Sequence, residues 1–132
     1  MRDLTIEDYC RSIRKLDSGK GARSVDLARQ LTLSKITVAV TLAKLQRAGY
    51  VLKEKYGRVH LTEKGKDVAR HMDFRHRVME FFLHRTLGMP LGKVHAEAQR
   101  AEHVFSDDAI RRLYHHLGRP KRDPHGRDIV LV

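Results

Sequence analysis

Residues 24–50 read SVDLARQLTLSKITVAVTLAKLQRAGY, and residues 51–61 continue as VLKEKYGRVHL. The first stretch contains a short helical pattern, a break before Ser34 and a longer helical pattern that ends at Gly49, which together indicate a helix-turn-helix. The second stretch contains two extended runs on either side of Gly57, which predict a small β-hairpin. A helix-turn-helix followed by a hairpin is typical of a winged helix.

The charge of the chain supports a nucleic-acid partner. The 132 residues include 27 Lys and Arg against 16 Asp and Glu, a formal net charge of +11. Such an excess of positive charge favours an anionic partner, such as nucleic acid or an acidic membrane surface, and the winged helix favours double-stranded DNA. No apolar run is long enough to span a membrane, and the N-terminus lacks the apolar core of a signal peptide. With one cysteine, Cys10, the chain has no internal disulfide, so we expect a cytoplasmic protein without a membrane partner.

The longer helix of the helix-turn-helix divides by face. Val38, Leu42 and Leu45 share one stripe and should pack inward. Ile36 and Val40 lie on other faces, where they either meet thymine methyl groups in a major groove or, for Ile36, complete the core at the turn.

The predicted DNA contacts extend from this helix to the hairpin. Basic and hydroxyl side chains would bind phosphates or base edges. On charge alone the hairpin residues fit a solvated edge equally well, and the preceding helix-turn-helix favours the DNA contact. The predicted DNA-binding residues are Ser34, Lys35, Ile36, Thr37, Val40, Thr41, Lys44, Lys53, Lys55 and Arg58.

The second half of the chain is predicted to be helical. Helical patterns run over about residues 62–87, 90–103 and 106–118. Phe81 and Phe82 are adjacent and cannot both face one narrow core, so the wide apolar face of the first of these helices predicts a homodimer.

These patterns predict a mainly α fold: an N-terminal winged helix-turn-helix with a small β-hairpin wing, followed by an all-helical dimerisation domain. The winged helix is expected over residues 1–62, and a helical metal-binding and dimerisation domain over residues 63–118. Residues 119–132 contain two prolines and many charges, which predicts an extended tail.

Metal-binding side chains recur in the second half at helical spacing. At about 100° per residue, the side chains at positions 95, 99, 102 and 103 fall within roughly one quadrant of a helix. Oxygen donors combined with imidazoles suit Mn²⁺ or Fe²⁺ better than a thiolate-rich zinc site does, although Co²⁺, Ni²⁺ or Zn²⁺ should also bind in vitro. The alternative is that each histidine lies on a solvated helix face. The candidate residues are His76, Glu80, His95, Gln99, Glu102 and His103.

Short segments in a characteristic order and spacing resemble the diphtheria-toxin-repressor (DtxR/MntR-type) family of metal-dependent transcriptional repressors. They are Glu7-Asp8-Tyr9, residues 34–38, Leu61-Thr62-Glu63-Lys64-Gly65, Arg75-His76-Arg77, Val94-His95, Glu102-His103, Ser106-Asp107 and Asp123-Pro124-His125-Gly126. The resemblance implies a winged helix, a helical dimerisation domain, and a bound metal ion that activates binding to palindromic operators. Larger members add an SH3-like C-terminal domain, which we do not expect within these residues.

The resemblance also implies two sets of metal ligands. Asp8, Glu102 and His103 match one set, in which Gln99 stands where the family usually has Cys or Glu. Asp8 in place of Met is similar to the manganese-responsive members. The second, nearby set is matched by His76, Glu80 and His95, and His76 either belongs to it or bridges to the first. The DNA-reading positions depart from the family, because Ile36, Ala39 and Val40 replace the frequent Pro, Ser and Gln.

Three functions compete. The favoured one is a metal-activated dimeric transcriptional repressor with no small organic substrate, and thus not an enzyme. A metal-independent winged-helix regulator is the second. The third is a non-haem iron enzyme with a two-histidine, one-carboxylate site, which the scarcity of aromatic residues and the absence of Trp disfavour.

Overall fold

The computed structural model describes residues 3–132, and it confirms a mainly α fold with a small antiparallel sheet. The elements in chain order are α1 (Asp3–Leu16), β1 (Ala22–Arg23), α2 (Ser24–Leu31), α3 (Lys35–Arg47), β2 (Val51–Lys53), β3 (Arg58–Leu61), α4 (Glu63–Phe81), α5 (Leu91–Ala101) and α6 (Asp107–His116). A π-helical turn, Phe82–Thr86, follows α4. Among the described residues, no helix has the length and apolar content needed to cross a bilayer.

The chain divides into two compact units, an N-terminal unit that ends at Arg70 and a C-terminal unit, His71–Val132. The division falls within α4 and therefore later than the predicted start of the second domain at residue 63.

The N-terminal unit contains the helix-turn-helix and its wing. Helix α2 ends at a left-handed Thr32. Ser34 then caps α3, and its hydroxyl accepts a hydrogen bond from the Thr37 amide at 3.1 Å, which begins α3 where the sequence indicates. Strands β2 and β3 form the predicted antiparallel hairpin. Strand β1 pairs with the other edge of β3; its two residues are too few to show a strand pattern in the sequence. The buried core includes Cys10, Ile13, Leu27, Val38, Leu42, Leu45, Val51 and Val59.

The first turns of α4 pack within the N-terminal unit. The Thr62 hydroxyl donates to the Gly49 carbonyl at 2.6 Å and accepts from the Gly65 amide at 3.2 Å, so Thr62 joins the end of the helix-turn-helix to the start of α4. A Cβ atom added to Gly65 would overlap the Tyr50 carbonyl oxygen. Because of these contacts, the N-terminal unit continues past residue 62.

The C-terminal unit has its own apolar core, which includes Phe74, Val78, Met79, Leu83, Val94, Ala98, Ile110, Tyr114 and Ile129. The last of these residues belongs to the segment predicted as an extended tail. Residues 119–132 have no helix or strand, but Arg122 forms an isolated bridge with Asp128, and the Ile129 amide donates to the Lys121 carbonyl at 2.8 Å. This segment, which we call the C-terminal loop, is therefore folded as part of the unit.

Candidate metal centre and nucleic-acid interface

Helix α3 exposes apolar side chains beside a fully apolar inner face. Val38, Leu42 and Leu45 are buried, as predicted. Ile36 is 78% exposed and Val40 51% exposed, so the alternative that Ile36 completes the core is wrong. Exposed β-branched side chains on this helix are available to touch base methyl groups.

The polar residues predicted to bind DNA differ in their exposure to solvent. Ser34, Lys35, Thr37 and Lys44 are exposed on α3, and Thr41 is half-buried there. On the wing, Lys53 and Lys55 are exposed, whereas the half-buried Arg58 donates from Nη1 to the Gly21 carbonyl at 3.3 Å. Arg58 thus also joins β3 to the loop before β1.

The C-terminal unit brings together a cluster of metal-binding side chains from α4 and α5, of which those on α4 are buried and His95 on α5 is exposed. His76 and Glu80 lie one turn apart on α4 and are each 1% exposed. The Nε2 atom of His76 contacts Glu80 Oε1 and lies 3.1 Å from Nδ1 of His95 on α5. The same His95 atom is 3.8 Å from Glu80 Oε1. Three donor atoms from three residues therefore form one small triangle.

This triangle fits a divalent ion. Donor atoms that surround an ion at about 2.1 Å with octahedral angles lie about 3 Å from each other, which is the scale of the separations found here. Two imidazoles and a carboxylate are ligands that first-row divalent metals accept. The structure thus brings together His76, Glu80 and His95, one of the two sets implied by the resemblance.

Glu102 lies behind His76 and orients it. The Glu102 Oε2 atom is 2.6 Å from His76 Nδ1, and both side chains are buried. A carboxylate that accepts the Nδ1 proton leaves the Nε2 lone pair facing the triangle, the arrangement common for metal-binding histidines. The other carboxylate oxygen of Glu102, Oε1, lies 3.5 Å from Nε2 of His103. Glu102 therefore contacts both His76 and His103.

Of the predicted ligands His95, Gln99, Glu102 and His103, only the first two lie within α5. Helix α5 ends at Ala101, Glu102 is its C-cap, and His103 follows in a turn. The Glu102 backbone is still right-handed helical and its amide donates to the Ala98 carbonyl at 2.9 Å, so Glu102 continues the buried stripe of Val94 and Ala98, while Gln99 remains exposed on α5. Asp8 is half-buried on α1, within the N-terminal unit.

Two residues beside this cluster were not among the predicted ligands. His125 Nδ1 lies 2.6 Å from Glu80 Oε2, and Glu80, Asp123 and His125 each place a donor atom within 4.8 Å of the others. Burial opposes ionisation of Glu80, but hydrogen bonds and positive charge from His76 and His125 outweigh it and hold the pKa of Glu80 below its usual value. The Asp-Pro-His-Gly segment, quoted above only as part of a family pattern, was the available signal.

Comparisons with known proteins agree with both units. The family model "Iron dependent repressor, N-terminal DNA binding domain" matches residues 3–59, and "Iron dependent repressor, metal binding and dimerisation domain" matches residues 62–131. The chain is 36% identical to the iron-dependent repressor IdeR of Mycobacterium tuberculosis, over 95% of this chain and 55% of that protein. It is 36% identical to the diphtheria toxin repressor of Corynebacterium diphtheriae, over 98% of this chain and 58% of that protein. It thus spans about half the length of these curated relatives.

The fold of this chain is also similar to that of a solved structure. A manganese-dependent transcriptional repressor in complex with manganese superposes with a TM-score of 0.82 at 35% identity, covering 94% of this chain and 57% of that one. These relatives are transcriptional repressors, the class that the sequence analysis favoured over an enzyme. With both of its units matched, the chain belongs to the iron-dependent repressor family of metal-dependent transcriptional regulators, as its resemblance to the diphtheria toxin repressor predicts.

Proposed function

We propose that this protein is a metal-activated, dimeric transcriptional repressor that binds palindromic operator DNA in response to Mn²⁺ or Fe²⁺. The observation that carries the proposal is the triangle of His76, Glu80 and His95, in which His76 and Glu80 are buried and His95 is exposed, with Glu102 in contact with His76 from behind. Buried ionisable groups are costly unless they are paired or bind a metal. Such a cluster in a family of metal-dependent regulators is best explained as a metal site.

The donor chemistry supports the choice of metal. The triangle offers imidazole nitrogens and a carboxylate, and no thiolate competes. Cys10 is fully buried in the N-terminal unit, and burial raises the pKa of its thiol to about 12, so it stays protonated and is a poor ligand. A nitrogen and oxygen donor set suits Mn²⁺ and Fe²⁺, while Co²⁺, Ni²⁺ and Zn²⁺ are expected to bind in vitro.

A second set of ligands is proposed on the resemblance. It consists of Asp8, Gln99, Glu102 and His103, of which Glu102 and His103 are neighbours in the structure at 3.5 Å. When bound, the ion supplies a positive charge that holds several anionic and imidazole side chains in one arrangement. Glu102 would couple the arrangement of one ligand set to that of the other, because it contacts His76 of one set and His103 of the other.

The DNA contacts are proposed for the exposed residues of α3 and the wing. Thr37 and Val40, with Ile36, would read base edges in the major groove, while Lys35, Lys44 and the wing residues would bind phosphates. Phosphate contacts release counterions without reading sequence, so Lys53→Ala or Lys55→Ala should weaken binding to all duplexes and flatten the salt dependence. The wing's Arg58 is expected to act in the same way.

The test follows DNA binding as metal is added. Apo protein is mixed with a fluorescent duplex from its own upstream region, and anisotropy is recorded as Mn²⁺, or Fe²⁺ without oxygen, is titrated. A coupling free energy of about 1–3 kcal/mol predicts that metal tightens binding about 5- to 150-fold. His103→Ala and Asp8→Ala should abolish this gain in a folded dimer, whereas His116→Ala, an exposed histidine of α6, should keep it.

Equal affinity with and without metal would instead select the metal-independent regulator. A footprint on the same DNA tests the remaining part of the proposal. Two protected half-sites related by symmetry are expected for a dimer on a palindrome, and one asymmetric protected segment would contradict it.

A further inference from the structure

Building on the proposed DNA contacts, we propose that Gln46 is a positioning residue that sets the angle between α3 and the wing. Its side chain would hold the wing lysines, Lys53 and Lys55, at the distance from α3 that lets both elements reach one duplex. Gln46 itself is not among the residues proposed to bind DNA. The inference rests on the proposed function, because the angle matters only if α3 and the wing bind DNA together.

A hydrogen bond joins the last turn of α3 to the wing. Gln46 Oε1 accepts this bond from the Lys53 amide at 3.0 Å. Gln46 lies two residues after Lys44, which is proposed to bind phosphate, and Lys53 is the last residue of β2. The bond therefore links the DNA-binding helix to a wing residue that is itself proposed to bind phosphate.

The Lys53 amide faces Gln46 because β2 is an edge strand. The strands lie in the order β1-β3-β2, so β2 forms one edge of the sheet. In an antiparallel pair, amides that bond to the partner strand alternate with amides that face away from it. The Glu54 amide donates to the Arg58 carbonyl at 2.8 Å. The next pair is Lys53 with Val59, so the Lys53 amide faces the edge, where a backbone amide needs another partner.

The rest of the wing is held at its base and on the side of β1. At the base, the Thr62 hydroxyl donates to the Gly49 carbonyl at 2.6 Å. On the side of β1, the Arg58 guanidinium donates to the Gly21 carbonyl at 3.3 Å. Neither of these contacts involves a residue of β2. The side-chain bond from α3 to Lys53 therefore fixes the distance between β2 and α3 near the tip of the wing.

Loss of this bond should affect DNA binding more than folding. Gln46 is exposed, and a hydrogen bond between exposed groups contributes little to stability because water replaces it. The wing would stay folded but could move away from α3. Phosphate contacts from Lys53 and Lys55 would then form only at the cost of ordering the wing, which lowers the affinity for DNA.

The experiment measures binding of the Mn²⁺-loaded protein to the fluorescent duplex from its own upstream region at several salt concentrations. Gln46→Met keeps the length of the side chain but removes the acceptor. It is expected to weaken binding about 3- to 10-fold and to flatten the salt dependence, because phosphate contacts of the wing form less often. Lys55→Ala should cost less affinity in the Gln46→Met background than in the wild type. Gln30→Met, at an exposed glutamine of α2, is the control and should bind as the wild type does.

Hydrogen exchange of the Lys53 amide, measured by nuclear magnetic resonance, tests the contact without DNA. We expect slow exchange in the wild type and in Gln46→Glu, which retains an acceptor oxygen, and faster exchange in Gln46→Met. Fast exchange in the wild type overturns the proposal whatever the variants do.

The salt dependence separates positioning from a purely structural role. A Gln46→Met variant that is less stable but keeps the wild-type salt dependence overturns the proposal and leaves the proposed function standing. A wild type that does not bind the duplex in the presence of Mn²⁺ overturns both.

Discussion

The two units of this protein differ in the polarity of the side chains that they bury. The N-terminal unit buries an apolar core and exposes Ile36 and Val40 on α3. The C-terminal unit contains the buried polar and charged residues found among residues 3–132, which are His76, Glu80, Glu102 and Asp123. An apolar side chain in water and a carboxylate in a core are both unfavourable for an isolated chain. The exposed pair supports the proposed contact with DNA, and the buried charged residues support the proposed metal centre.

The largest effect is expected where the burial of charge is most complete. Glu80→Gln keeps the shape of the side chain but removes an anion that contacts both His76 and His125. We expect it to lower the affinity for Mn²⁺ more than about 100-fold, beyond the 10- to 100-fold typical of losing a group that only orients a ligand. Isothermal titration of apo protein measures this. Glu63→Gln, an exposed carboxylate at the start of α4, is the control, and equal losses in both variants would contradict a special role for Glu80.

The N-terminal unit was largely predictable from the sequence because local signals determine it. The Ser34 cap and the stripe of Val38, Leu42 and Leu45 follow from helical periodicity over a few residues. The side-chain cluster proposed as the metal centre was predicted in part. His76 and Glu80 are one turn apart on α4, but His125 reaches Glu80 from 45 positions later in the chain. No periodic pattern records such a contact, since the C-terminal loop has neither helix nor strand.

The compact units divide after Arg70, within α4, whereas the sequence predicts a second domain from residue 63, and the difference has a similar reason. The contact that docks the start of α4 in the N-terminal unit is a close approach between Gly65 and the Tyr50 carbonyl. Such an approach depends on tertiary packing, and the sequence shows only a glycine near the start of a helix. Likewise, the helical face drawn through His103 assumed that α5 continues, whereas it ends at Ala101.

That docking contact can be tested with a pair of glycines. Gly65→Ala should destabilise the protein by about 1–3 kcal/mol, because the new methyl group meets backbone that cannot move aside cheaply. Gly92→Ala, in α5, meets nothing within 4 Å and should stabilise by about 0.4–1 kcal/mol through the entropy of the unfolded chain. Urea denaturation of both variants gives the free energies of unfolding. A stabilising Gly65→Ala would show that the contact is not tight.

A substitution on the exposed side of α3 should affect DNA binding more than it affects stability. Val40→Ser is expected to change the free energy of unfolding by less than about 0.5 kcal/mol, since the side chain is half exposed. It should nevertheless change the preference among operator variants by about 1–3 kcal/mol if Val40 contacts a base. Competition binding against duplexes altered one base pair at a time measures that preference. An unchanged preference would remove Val40 from the DNA-reading residues, and a large loss of stability would place it in the core.

The smallest effect concerns an ion pair at the edge of the C-terminal unit. Arg75 donates from Nε to Asp107 Oδ1 at 3.0 Å. Burial alone would raise the pKa of Asp107, but the hydrogen bond and charge of Arg75 outweigh it and hold that pKa below its ordinary value of 3.8. Because the folded-state pKa is lower than the unfolded one, the pair contributes stability above about pH 3.8 and loses it as the pH falls through the folded-state pKa. The Asp107 side chain is 44% exposed, so solvent screening limits the contribution to less than about 1 kcal/mol.

Asp107→Asn should therefore lower stability slightly at neutral pH and weaken the dependence of stability on pH below 4, as measured by urea denaturation at several pH values. Asp108→Asn, the exposed neighbour in the first turn of α6, is the control, and an equal change in its pH dependence would assign the effect to the charge at the start of α6 and not to Arg75.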